Sequence, residues 1–217
     1  MTDRLWARSS IIISTMLVLS GCAGSTTTYT PPSTSIPNIS NETIVDTSFD
    51  KTWDSYVKEL SQSFFVINNI SKESRIINVS FSTNRPSDYV ECGSTTIVSK
   101  HPSRGTQTFT YSAESSSKQW IGVEGTNHIL DRTRQTQLEG RANIYIAPVN
   151  ELQTLLRVNA RYELKINEKL SGVTLHHQET NNYSISFSTQ ETGVTLDGMT
   201  CISKRLLEQN LLNLAHL

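Results

Sequence analysis

Cysteine is scarce in this 217-residue chain, with three copies, and no two of them form a Cys-x-x-Cys pair. The five histidines never fall in a His-x-x-x-His spacing, so no local zinc-binding signature is present. Serines are plentiful, yet none stands in a Gly-x-Ser-x-Gly setting, and no glycine-rich loop is built to cradle phosphate. No catalytic constellation emerges, and the chain is expected to be non-enzymatic, without metal or cofactor. Charged residues make up 18% of the chain, below the usual quarter. The formal net charge of −1 gives no global attraction toward nucleic acid.

What is present begins with the apolar run at residues 11–19, which follows a segment carrying Arg4 and Arg8. It falls short of the roughly 20 residues needed to span a bilayer. Basic residues, a short apolar core and small residues before a cut site form a secretory signal. Here the run ends in Leu19-Ser20-Gly21-Cys22, the pattern of a bacterial lipobox. Cys22 is therefore expected to carry diacylglycerol and an N-acyl chain and to become the first mature residue. Ala23, which follows it, is not the aspartate that retains many lipoproteins in the inner membrane, so outer-membrane anchoring is expected. The domain boundaries read as a signal peptide over 1–21, acylated cysteine and flexible tether over 22–38, and one periplasmic domain over 39–217. The tether expectation rests on three prolines and little apolar periodicity. Fully stretched, it would reach roughly 50 Å.

With Cys22 acylated, Cys92 and Cys201 remain as an even pair in an oxidising compartment. They are predicted to form a disulfide, the alternative being two buried free thiols. Such a bridge would stabilise by roughly 4 kcal/mol on the chain-entropy model.

Along the mature chain, Phe49, Trp53, Tyr56, Val57, Leu60 and Phe64 mark one face of a helix of about 16 residues. Ile77, Val79 and Phe81 alternate with polar neighbours, predicting a strand that pairs with 65–67. Leu138, Ala142, Ile144 and Ile146 face one way, and so do Leu156, Val158, Ala160, Tyr162, Leu164 and Ile166. That is the pattern of an antiparallel sheet with one wet face. Tyr183, Ile185 and Phe187 repeat it, and 201–214 reads as a second helix. Residues 112–135 read as a long loop, within which Trp120-Ile121-Gly122-Val123 could form a short strand; an exposed Trp120 would be a candidate contact, with local packing as the favoured alternative.

The fold class these elements suggest is α+β: one antiparallel meander packed on one face by two helices. Phe49-Asp50-Lys51-Thr52-Trp53 leading into 76–82, behind the lipobox and its polar stretch, resembles the helix-grip domains of bacterial lipoproteins of the BamC family. BamC-type subunits serve the outer-membrane β-barrel assembly machine and carry two such domains, whereas this chain has room for one. The resemblance implies fold and location, and not the complex.

On the polar side of the two clearest strands stand Arg141, Arg157, Arg161 and Lys165. If the strands pair, these cations form a patch suited to an acidic envelope protein or anionic head groups. The alternative is a solvated face interleaved with Glu139 and Glu163. Two readings follow: an accessory, protein-binding lipoprotein, or a carrier of a lipophilic small molecule held between helices and sheet.

Overall fold

The structure, a computed structural model, describes residues 23–33, 39–172, 177–191 and 198–216. The signal peptide, Cys22 and part of the tether lie outside them.

Its frame is one long hairpin. β9 (Ile129–Asn150) and β10 (Gln153–Gly172) run antiparallel for nearly their whole length. Strict alternation produces this: even positions from 134 to 146 on β9 and from 154 to 166 on β10 point inward. Two strands in succession flank each side of the hairpin. β2 (Glu42–Val45) and then β11 (His177–Ser188) pair with β10. β8 (Ser117–Gly122) and then β4 (Ile76–Thr83) pair with β9, and β3 (Val66–Ser71) closes the edge on β4. Where β4 crosses β9, Phe81 pairs with Gly140, and a Cβ there would stand 2.1 Å from the Phe81 ring. Only glycine lets that ring approach the strand so closely.

A second sheet joins β1 (Gly24–Thr30), β6 (Ser94–His101) and β7 (Gly105–Ser112). A third pairs the two-residue strands β5 (Val90–Glu91) and β12 (Ile202–Ser203).

This overturns the expected fold class. Of the described residues 59% lie in strands and 16% in helices, so the molecule is mostly β, in several antiparallel sheets with two short helices. It is not one meander packed by two helices. α1 (Phe49–Gln62) buries Trp53, Tyr56 and Leu60, but the stripe stops there and Phe64 is 63% exposed. α2 (Leu206–Asn213) begins five residues later than its apolar pattern suggested. Cys201 is bonded to Cys92, Ile202 and Ser203 enter the small sheet, and the Lys204 amide donates to the Tyr89 carbonyl at 2.8 Å. Those ties, with Arg205 in the left-handed region at φ 60°, hold the segment out of the helix.

Two further expectations change. Within the predicted tether, residues 24–30 form β1, whose Tyr29 hydroxyl meets the Cys92 carbonyl at 3.0 Å and the Thr200 amide at 2.8 Å. The predicted long loop over 112–135 holds β8 and the first residues of β9.

The interior is dense. Tyr56 donates its buried hydroxyl to the Leu211 carbonyl at 3.0 Å, joining the two helices. Tyr162 stacks on Phe187 with ring centroids 5.5 Å apart, and its hydroxyl bonds Glu208 at 3.1 Å.

Candidate functional site

Odd positions of β9 and β10 make the outer face of the main sheet. Residues 141, 143 and 145 on β9 and 157, 159 and 161 on β10 are exposed. Register sets them in rows: Glu139 opposite Glu163, Arg141 opposite Arg161, Asn143 opposite Asn159, and Tyr145 opposite Arg157. β4 brings Ser80 and Asn78 beside Arg141 and Asn143, and β11 brings Ser188 beside Arg161.

The four cations expected to form one patch do not act as one. Arg157 is paired with Glu42 through contacts of 2.7 and 2.8 Å. Lys165 is paired with Glu139, and that hydrogen bond holds the ammonium above its usual range. Arg141 and Arg161 have no ion-pair partner among the described residues. Like charges directly opposite on a sheet weaken it. Two guanidinium groups side by side on an open surface present forked donors matched to carboxylates.

Beside them lies a groove of about 450 Å³, lined by Ser71, Ser74, Ile76, Asn78, Asn143 and Tyr145 among others. Asn78 donates to Asn143, and Asn41 donates to Asn159 at 3.1 Å. A second groove of about 590 Å³ borders Asn41, Glu42, Arg157 and Arg205. Both are open; the second is mostly polar, and the first mixes amides and hydroxyls with Ile76, Ile144 and Tyr145. Their amides and hydroxyls suit hydrogen bonding to another polar surface.

Of the two readings of Trp120, the structure shows local packing and not an exposed contact. The residue lies in β8, is 9% exposed, and donates its indole N–H to Gln107 Oε1 at 2.9 Å. Phe109 and His101 pack edge-on against its ring, and the Arg104 guanidinium lies 5.5 Å from its centroid. Cys92 and Cys201 are joined as predicted, 109 residues apart in sequence. Beside the bridge, the buried Glu114 carboxylate accepts the Cys92 N–H at 2.9 Å, and burial pushes its pKa up. Cys22 and His176 lie outside the described residues, as does the side chain of His177. Among the described residues no group of three His, Cys, Asp or Glu side chains could hold a metal.

One charged cluster escaped the sequence reading. Glu168 on β10 accepts from Arg132 at 2.5 Å and from Arg134 at 2.7 Å, both on the inner face of β9. Arg132 also reaches the Tyr111 hydroxyl at 2.9 Å; Arg134 reaches the Tyr183 hydroxyl at 2.9 Å and the Ala113 carbonyl. Burial alone would raise the Glu168 carboxyl, but Arg132, Arg134 and the Tyr183 hydroxyl outweigh it and hold it below the usual range. Tyr183, chiefly through burial, is pushed up to about 12. The signal for this cluster was the Arg-x-Arg spacing at 132 and 134, in register with Glu168 once the strand is extended.

Comparison with protein-family models, curated proteins and solved structures found no match for this chain.

Proposed function

We propose that this chain is an outer-membrane lipoprotein, anchored through acylated Cys22, whose periplasmic domain is a non-enzymatic subunit that docks an acidic envelope protein. The observation that carries the docking is the Arg141–Arg161 pair, opposed on an uncovered sheet face with no counter-ion among the described residues. The lipobox supports the anchor. The Cys92–Cys201 bridge accords with an oxidising compartment. The carrier reading gains no such support, because Tyr56, Leu60, Tyr162 and Phe187 fill the space between helices and sheet.

A photo-crosslinking amino acid at Asn143 or Asn159 tests the docking in living cells. One envelope protein should be captured from these sites, and not from Lys58 on α1. Capture should fall sharply when Arg141 and Arg161 are both changed to Glu. Equal capture from all three sites, or capture indifferent to the charge reversal, would overturn the reading.

A further inference from the structure

We infer that the domain rests directly on the bilayer, with the end that carries Gly24 and the turns at 101–105 and 122–128 against the phospholipid headgroups. This rests on acylation of Cys22.

The chain is fixed almost at the anchor. Ala23, one peptide bond after Cys22, is 2% exposed. Gly24 is already in register with Lys100, and Ser25 Oγ donates to the Gly122 carbonyl at 3.3 Å. Gly122 makes this close approach possible. A Cβ there would stand 2.3 Å from the Lys100 carbonyl oxygen and 2.9 Å from the Gly24 nitrogen. Since neighbouring Cα atoms are about 3.8 Å apart, an acyl-bearing Cys22 has almost no slack before the folded sheet begins.

Two hairpin turns flank this point. His101 Nε2 meets the Asn127 carbonyl at 3.2 Å, and the Val123 amide donates to the His128 carbonyl at 3.0 Å. Lys100, Ser103, Arg104, Glu124 and Asn127 are exposed there. Lys100 and Arg104 have no acidic partner among the described residues. Lys100, and Arg104 over the Trp120 ring, stand here with the exposed carboxylates of Glu124 and, at the foot of β9, Asp131; with hydroxyl and amide groups between them, this mixed polar surface suits a layer of phosphate-bearing headgroups. A protein partner at this end would have to share the space with the lipid itself.

The geometry also sets the height of the docking face. β9 climbs from Ile129, beside these turns, to Asn150; at about 3.3 Å per residue that is roughly 70 Å along the strand. Leu152, 75% exposed, marks the far pole. Arg141 lies a little over halfway up, roughly 40 Å along the strand.

The test uses the full chain, expressed in a Gram-negative host with an alkyne-bearing palmitate and compared with a Cys22→Ala form. The purified protein, carrying an environment-sensitive fluorescent amino acid at Asn127, Ser103 or Leu152, is then placed in vesicles of phosphatidylethanolamine and phosphatidylglycerol. Lipids with nitroxide on the headgroup should quench probes at Asn127 and Ser103 and leave Leu152 unquenched. A Gly-Ser linker inserted between Cys22 and Ala23 should abolish the quenching at both turns. Acyl labelling with all three probes equally unquenched would overturn the inference and leave the lipoprotein reading standing. Absence of acyl label on the native chain would overturn both.

Discussion

Two pairs of arginines ride on the same hairpin, and their difference separates a structural charge from a recruiting one. Arg132 and Arg134 occupy even positions and turn inward, where Glu168, two tyrosine hydroxyls and a backbone carbonyl hold them. Arg141 and Arg161 occupy odd positions and turn outward, with no counter-ion among the described residues. Parity along a strand decides which fate a guanidinium meets. A charge removed from water must be paired, whereas an exposed one need not be.

Breaking the inner pair should have the largest effect. Glu168→Gln strips the one carboxylate from two arginines, of which Arg134 is 5% exposed with its Nε already lacking a partner. Removing one member of a buried ion pair costs about 3–5 kcal/mol. For a domain of this size the melting temperature should then drop by roughly 10 °C. Glu163→Gln on the outer face should change it by less than about 2 °C. Thermal unfolding of the two variants measures the contrast. Equal losses would remove the distinction.

The same carboxylate fixes a pH dependence. Its pKa in the folded protein lies below the unfolded value of about 4.3. Its stabilisation is therefore fully present above that value and is lost as pH falls through the folded pKa. Unfolding followed from pH 6 downward should steepen on the acid side in the native chain and flatten in Glu168→Gln. An acid limb unchanged by the substitution would assign the acid sensitivity to other groups.

Opening the disulfide tests what closes over the inner pair. Ala113, whose carbonyl accepts from Arg134, is itself held by its amide on the Gly93 carbonyl at 2.9 Å, next to Cys92. Met199 sulfur, two residues before Cys201, also lies 3.8 Å from Arg134. Replacing both cysteines with serine should cost about 2–5 kcal/mol. It should also raise hydrogen exchange at Ala113 and Tyr183 ahead of global unfolding. Uniform protection loss across the chain would mean that the bridge and the arginine cluster are uncoupled.

The outer pair was readable in the sequence because its neighbours are apolar at every second place. Leu138, Ala142, Ile144 and Ile146 announce β9 and put Arg141 outside. The inner pair was not readable for the complementary reason. Over 131–137 the inward positions are Arg132, Arg134 and Thr136, so the strand continues without an apolar alternation. β1 was hidden in the same way. Its Gly-Ser-Thr-Thr-Thr run reads as a tether, and what orders it is pairing with β6, about seventy residues away. The disulfide was legible from cysteine arithmetic. Its consequence for the start of α2 was not, since that depends on where Cys92 lies in space. The strands with no expectation behind them, β1 and β6 above all, together with the fuller extent of β8 and the first residues of β9, carry much of the change from the expected helix-gripped meander to a mostly β molecule.

The smallest expected effect on stability belongs to the outer pair and carries the sharpest functional contrast. Arg161→Ser relieves a like-charge opposition to Arg141 and matches the serine already beside it on β11. Stability should be unchanged or rise by about 0.2–0.5 kcal/mol. Arg157→Ser, four residues away, breaks an exposed ion pair with Glu42 and should cost no more than about 1 kcal/mol. In the crosslinking measurement the order reverses. Arg161→Ser should weaken capture of the envelope partner, whereas Arg157→Ser, whose charge Glu42 already answers, should leave it intact. If capture follows stability instead, with Arg157→Ser the weaker of the two, the open face acts through its overall charge, and the pairing of Arg141 with Arg161 carries no recognition of its own.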